Sequence, residues 1–177
     1  DMVFVTAGMG GGTGTGAAPV IAAMAKNKGI LTVGVVTLPF KNEGNESMSK
    51  AIDGIYELQK NVDSILIINN EKIYTHYGSL LVHEAFPKTD EVLATAVQGI
   101  TEIINKPGYV NVDFKDVKAM MTNSGMALMG CGTGSGKNRI QNAVKQAMDS
   151  PLLNDFDIKT AKNVLINITV GDNADGL

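Results

Sequence analysis

Five glycines and two threonines fill the seven positions Gly10, Gly11, Gly12, Thr13, Gly14, Thr15 and Gly16. A run of that kind is suited to holding an anion. Glycine lets the backbone adopt positive φ and approach a ligand closely, so that several main-chain N–H groups can converge on one phosphate. The next residues read as a helix, whose N-terminus adds unpaired donors and a partial positive charge. The hydroxyls of Thr13 and Thr15 can bond phosphate oxygens or cap that helix. A second candidate lies at Asn111-Val112-Asp113-Phe114-Lys115-Asp116. At a helix start, Asp113 and Asp116 place two carboxylates on one face. Taken by themselves they suit capping of the helix by Asp113 and offsetting of its dipole by Asp116.

Two other patterns resemble ligand loops. Gly12, Gly14 and Ala17 fit G-x-G-x-x-A, a short match that leaves a dinucleotide-binding oxidoreductase as one alternative. Gly130-Cys-Gly-Thr-Gly-Ser-Gly-Lys137-Asn138 resembles a P-loop. It lacks the glycine required at Cys131 and the Ser or Thr required at Asn138, so no nucleotide is assigned to it. His76 and His83 have no partners at ligand spacing, and no protein metal ligand is assigned.

The elements that would position these groups alternate. A β-branched and aromatic strand over residues 2–6 leads into the glycine run and a helix to about Lys28. A strand at 30–37 precedes a loop and a helix from about Ser47 to Gln59. The strand at 63–69 is almost continuously apolar, as expected where both faces are covered. This β-α-β-α-β order predicts a parallel, Rossmann-like sheet with ligand loops at the carboxyl ends of its strands. A long helix from about Leu80 or Glu84 to Asn105 stops at Lys106-Pro107-Gly108. Beyond it, a helix from about Asp113 to Asn123, a strand near Met126 to Gly130, a helix from about Asn138 to Met148 and a strand at 163–170 begin a second α/β unit.

Composition bounds the partners. The 177 residues are 44% hydrophobic and 19% charged, enough for a sizeable core. A net charge of −3 offers no basic patch and argues against nucleic acid. Cys131 is the single cysteine, so an internal disulfide is impossible and a reducing cytoplasm is expected. The longest apolar stretch, Gly29 to Phe40, is too short and interrupted to span a bilayer, and no direct membrane insertion is expected.

With its Ala7-Gly8-Met9 lead-in, the heptapeptide resembles the signature loop of the tubulin superfamily, in its bacterial cell-division FtsZ branch. The resemblance continues through Gly29 to Thr37, Pro39-Phe40 with Glu43-Gly44, Ala96 to Ile100, Asn111 to Phe114 and Val164 to Thr169. It implies an internal fragment, without the family's N-terminal strand and first glycine loop and without its C-terminal end. Residues 1–79 would be the later part of a GTP-binding domain. Residues 80–108 would be the central connecting helix, and 109–177 the synergy loop with part of a second, GTPase-activating domain.

The implied activity is GTP hydrolysis to GDP with Mg²⁺, by a protein that polymerises head to tail into the filaments of the division ring. By itself this fragment would be inactive. A truncated, non-catalytic filament-binding piece is the other alternative. The family implies nucleotide contacts from Gly10–Gly16, a ribose contact from Glu43, and guanine recognition by Asp90 with Phe86 stacking and Asn70 adding a polar contact. Asp113 and Asp116 would polarise the attacking water or position its cation, and Asn111 would orient it, in the site of a neighbouring subunit. Other division proteins and membrane tethers would bind the missing C-terminal tail, at mid-cell in the cytoplasm. Two departures stand out: Ser47 where the family often has a nucleotide-contacting arginine, and Gln141-Asn142 where some relatives are acidic.

Overall fold

The computed structural model describes residues 1–77, 82–106, 112–150, 153 and 160–171. Contacts divide the chain into two units, Asp1–Leu128 and Met129–Leu177.

In the first unit, strands β1 (Met2–Gly8), β2 (Leu31–Leu38), β3 (Ser64–Asn69) and β4 (Gly125–Ala127) form one parallel sheet in the order β1-β2-β3-β4. Helices α1 (Gly12–Asn27) and α2 (Asn45–Lys60) are the crossovers between β1 and β2 and between β2 and β3. Alternation along the strands sends Val5, Val36 and Ile65 to one face, where they pack with Ala18 and Ala22 of α1 and Ala51, Ile55 and Leu58 of α2. The small α1 residues let that helix lie close to the sheet. Burying side chains such as Leu58 and Ile65 contributes about 1.5–3 kcal/mol each. β2 is buried almost throughout, which accounts for its unbroken apolar character.

The amino ends of the strands are tied by Asp63. Its Oδ2 accepts the Thr32 N–H at 2.9 Å, and its own N–H donates to the Thr32 carbonyl at 2.8 Å. Lys26 lies 3.9 Å from the same carboxylate, and the Gly125 N–H reaches the Asp63 carbonyl at 3.1 Å. Thus α1, β2, β3 and β4 meet at one buried acid.

After β3 comes a helix that periodicity does not predict, α3 (Asn70–Tyr77). Its sequence, NEKIYTHY, is poor in strong helix formers. What starts it is local: the Asn69 side chain accepts the Glu71 N–H at 3.1 Å. The long helix α4 (Val82–Asn105) packs against β2, and α5 (Phe114–Met121) buries Val117 and Met121.

In the second unit, α6 (Arg139–Met148) runs beside the glycine-rich segment before it. A Cβ added at Gly130, Gly132 or Gly134 would overlap the carbonyls of Ala147, Ala143 or Arg139, so alternate glycines let the chain lie against the helix backbone. The Thr133 N–H donates to Gln146 Oε1 at 2.8 Å. These glycines are packing residues. The expected strand at 163–170 is not formed: the described residues there carry no ladder, and Val164, Ile166 and Ile168 are 66%, 71% and 66% exposed. The alternating pattern is present, but no neighbouring strand among the described residues supplies the pairing that turns such a pattern into a sheet.

β1 ends the sheet and pairs only with β2 among the described residues, so one row of its backbone groups is open to another chain. This 177-residue chain should therefore associate as its concentration rises, with heavier species in sedimentation velocity. A monodisperse monomer that melts cooperatively at every concentration would contradict this.

Candidate functional site at the carboxyl ends of the strands

Parallel register brings the ends of three strands to one level: Gly8 lies opposite Thr37, and Leu38 opposite Asn69. The loops that leave them therefore meet. Met9 N–H donates to the Thr37 carbonyl at 3.0 Å, binding the first loop to β2. Gly10 has φ +107°, and a Cβ there would lie 2.9 Å from the Ser47 carbonyl, so glycine alone fits between the first loop and the start of α2.

The glycine run itself divides in function. Gly10 donates its N–H to Thr15 Oγ1 at 2.9 Å, which folds the loop over the first turn of α1. Gly14 is the close-approach position, because a Cβ there would overlap the Gly8 carbonyl. Gly11, Gly12 and Gly16 face open space. α1 has no side-chain cap and no acid in its first turn. Its first N–H groups are thus left without helical acceptors or a competing carboxylate, beside exposed Gly11, Gly12 and Thr13.

The second loop forms a 3₁₀ turn at Lys41–Glu43. Glu43 Oε1 accepts the Phe40 N–H at 2.8 Å, so the carboxylate closes its own turn and remains at the surface. Phe40 is buried and meets Phe86 of α4 edge to face, ring centres 5.0 Å apart and planes at 77°. This contact brings α4 to the same end of the sheet, with Phe86 half exposed and Asp90 exposed one turn later. At the start of α2, Lys50 donates to Glu46 at 2.6 Å and holds its carboxyl below the usual carboxylate range, chiefly through that hydrogen bond. Lys50 is thereby engaged locally, and Ser47 brings no charge to the cradle.

Asn70 opens α3, directly after β3, is 5% exposed, and its Oδ1 has no hydrogen-bond partner in the structure. A buried acceptor left open at a loop cluster suits a donor supplied by a ligand. The structure thus ties the glycine loop to β2 and the start of α2, and Glu43 and Phe86 to Phe40, at one end of the sheet, with Asn70 and Asp90 on the elements that enter it.

Asp113 and Asp116 are elsewhere. α4 has 24 residues, roughly 36 Å at 1.5 Å per residue, and carries the chain away from Phe86. After α5 the chain enters β4 opposite Ser64, at the start of β3 rather than its end. Asp113 caps α5, accepting the Lys115 N–H at 3.4 Å, and Asp116 is an exposed first-turn acid. No described hydrogen bond or ion pair joins either to the glycine loop. Asn111 lies outside the described residues. Sequence reasoning did not foresee the contact of Phe40 with Phe86, nor that of the Lys41 N–H with Glu71 Oε2 at 3.2 Å, which joins the second loop to α3; the Asn69-Asn70-Glu71 string, a side-chain acceptor two residues before an N–H, is the signal that points to Glu71.

A parallel α/β sheet whose strand-end loops converge on an uncapped, glycine-rich helix start has the form of a phosphate-binding fold. Residues 1–78 match the family model described as Tubulin/FtsZ family, GTPase domain, and residues 125–175 match FtsZ family, C-terminal domain. The cell division protein FtsZ of Pseudomonas aeruginosa is 55% identical over 97% of this chain and 44% of its own length. The mitochondrial division protein fszA of Dictyostelium discoideum is 52% identical over 97% of this chain and 33% of its own. Among solved structures, an empty FtsZ dimer from M. jannaschii superposes with TM-score 0.83 at 48% identity, covering 86% of this chain and 45% of that one. CetZ2 from Haloferax volcanii, described as a GTPγS-bound protofilament, gives 0.64 at 26% identity, covering 77% and 39%. The chain belongs to the tubulin/FtsZ family. It spans less than half the length of the curated relatives it matches.

The contrast between Gly14 and Gly16 is testable by melting. Gly14→Ala should destabilise the chain by about 1–3 kcal/mol, the range for overpacking, because α1 must shift off Gly8. Gly16→Ala has open space inside a helix and should be neutral or stabilising by up to about 1 kcal/mol. Equal melting temperatures for the two variants would contradict the close-approach assignment.

Proposed function

We propose that the whole protein containing this chain binds and hydrolyses GTP, and assembles head to tail into the filaments of a bacterial cell-division ring. One observation carries the reading: in a chain of this family, three strand-end loops and α4 converge on an uncapped glycine-rich helix start. The open N–H groups of Gly11, Gly12 and Thr13 would receive phosphate oxygens. Gly10, Gly14 and Thr15 shape the loop, and Gly16 leaves it clear. Glu43 retains acceptor capacity for ribose hydroxyls beyond its bond to Phe40. The Asp90 carboxylate can accept from both guanine N–H donors and, as an acceptor, suits guanine over adenine. Phe86 would contact the ring, and the open Oδ1 of Asn70 would take a further donor.

On this reading residues 1–79 serve as the later part of the GTP-binding domain, 80–108 as the connector, and 109–177 as the catalytic loop with part of the second domain, although α5 and β4 lie in the first contact unit and β4 extends its sheet. Asp113 and Asp116, removed from the cradle by the length of α4, would act on the nucleotide of an adjoining subunit, with Asn111 orienting the water. Mg²⁺ suits this chemistry because it neutralises charge on the phosphates and needs few protein ligands. Such a contact is heterologous and open-ended, and its repetition makes a filament. CetZ2's description as a protofilament and the M. jannaschii FtsZ dimer support assembly of this kind. Tethers and other division proteins would engage the part of the protein beyond this chain, at the cytoplasmic face of mid-cell.

In the full-length protein, Asp90→Ala should weaken guanine-nucleotide binding by about 1.5–3 kcal/mol, the scale of hydrogen bonds to a charged group, without a matching loss for ATP. An unchanged preference for GTP over ATP would remove Asp90 from the site.

Asp116→Ala should leave GTP affinity near that of the parent while lowering turnover about 10²- to 10⁴-fold, the range for a lost acid or base. Mixing it with an assembly-competent variant disabled in the glycine loop should restore part of the turnover, because the pair forms one intact junction. Turnover per molecule that stays constant on dilution far below the assembly threshold would show a self-contained active site and refute this mechanism.

A further inference from the structure

We propose that Glu71 is a positioning residue for nucleotide recognition: it holds the Lys41–Glu43 turn in the attitude that presents the Glu43 carboxylate to a ribose. The inference rests on the guanine-nucleotide reading above and assigns a role to a residue outside that contact set.

The turn is three residues long, and two carboxylates take the N–H groups at its entry. Glu43 takes that of Phe40 at 2.8 Å, and Glu71 takes that of Lys41 at 3.2 Å through Oε2. The Lys41 ammonium lies 4.0 Å from Glu71 Oε1. Beyond the turn, Gly44 has φ +91°, so the backbone bends sharply before α2 begins, in a region of wide freedom for glycine. A short turn between a strand end and such a glycine needs a lateral tie to keep one orientation.

Glu71 is built to supply that tie. Its own N–H is held by Asn69 Oδ1 at 3.1 Å, and its carbonyl accepts the Thr75 hydroxyl at 2.9 Å. It occupies the first turn of α3, where a carboxylate is favoured by the helix dipole. The ion pair with Lys41 is exposed and contributes little by itself. The bond to the main-chain N–H is what fixes the turn. A chain of contacts thus runs from the end of β3 through Asn69 and Glu71 to Lys41 and Glu43. It couples the segment bearing Asn70 to the one proposed to read the sugar.

Two vicinal hydroxyls demand a carboxylate at a set orientation, so loss of the tie should be felt by ribose and not by phosphate or base. In the full-length protein, the dissociation constants of GDP and of 2′,3′-dideoxy-GDP are measured for the parent, Glu71→Ala, Glu71→Gln, Glu43→Ala and the Glu43→Ala/Glu71→Ala pair. Glu71→Ala should weaken GDP about 3- to 10-fold, the size of one net hydrogen bond, and leave dideoxy-GDP unchanged. Glu71→Gln, whose amide oxygen still accepts the Lys41 N–H, should keep the parent ratio. Adding Glu71→Ala to Glu43→Ala should change nothing further. Equal losses for both nucleotides, or a GDP to dideoxy-GDP ratio that Glu71→Ala preserves, would overturn the role of Glu71. A parent that binds neither nucleotide would instead overturn the guanine reading itself.

Discussion

The site depends on how closely one helix can approach one strand. Gly14 has no room for a side chain because the Gly8 carbonyl occupies the space a Cβ would take. That approach seats α1 against the end of β1, so its first turn is held to the sheet before any ligand arrives. Small residues continue the contact below it, where Ala18 and Ala22 are buried. The free N–H groups at the top of α1 are a consequence of the same geometry: a helix that starts on glycine, with no capping side chain and no acid in its first turn, keeps its donors uncommitted.

Parallel pairing does the rest of the assembly. All strands run the same way, so the loops bearing Gly10, Glu43 and Asn70 leave at one end of the sheet and the tie at Asp63 lies at the other. The loops are then locked laterally by few contacts: Met9 to Thr37, Phe40 to Phe86, and Lys41 to Glu71. Each of these spans two segments of the chain. Positioning is therefore distributed over the junctions between loops, while stability sits in the apolar layer of Val36, Leu58 and Ile65.

Where the signal is periodic and local, sequence and structure agree closely. The three long strands, the crossover helices α1 and α2, and α4 lie near where alternation, helical spacing and the stop at Pro107-Gly108 put them. The glycine run stood out as a candidate cradle because no simple turn requires five glycines, and the structure shows that Gly10 and Gly14 are required for close backbone approach. α3 was not legible, since its start depends on one Asn69 side-chain bond rather than on composition. Residues 163–170 have the alternation of a strand and no partner among the described residues to pair with, a condition that sequence pattern cannot report. The division of labour within the cradle was equally hidden: Gly10 and Gly14 serve approach, Gly11 and Gly12 face open space, and only coordinates separate them.

The placement of the two acidic residues has a topological origin. β3 has six residues, about 20 Å of strand, whereas α4 has 24 and is nearly twice as long. A connector that leaves the strand ends at Phe86 and exceeds the sheet in length must deliver the next segment of chain toward the opposite end. β4 accordingly pairs with β3 from Ser64 onward, and the Gly125 N–H joins the Asp63 carbonyl there. As built, the length of α4 separates the glycine-rich start of α1 from the two carboxylates, the separation that the proposed end-to-end contact would bridge.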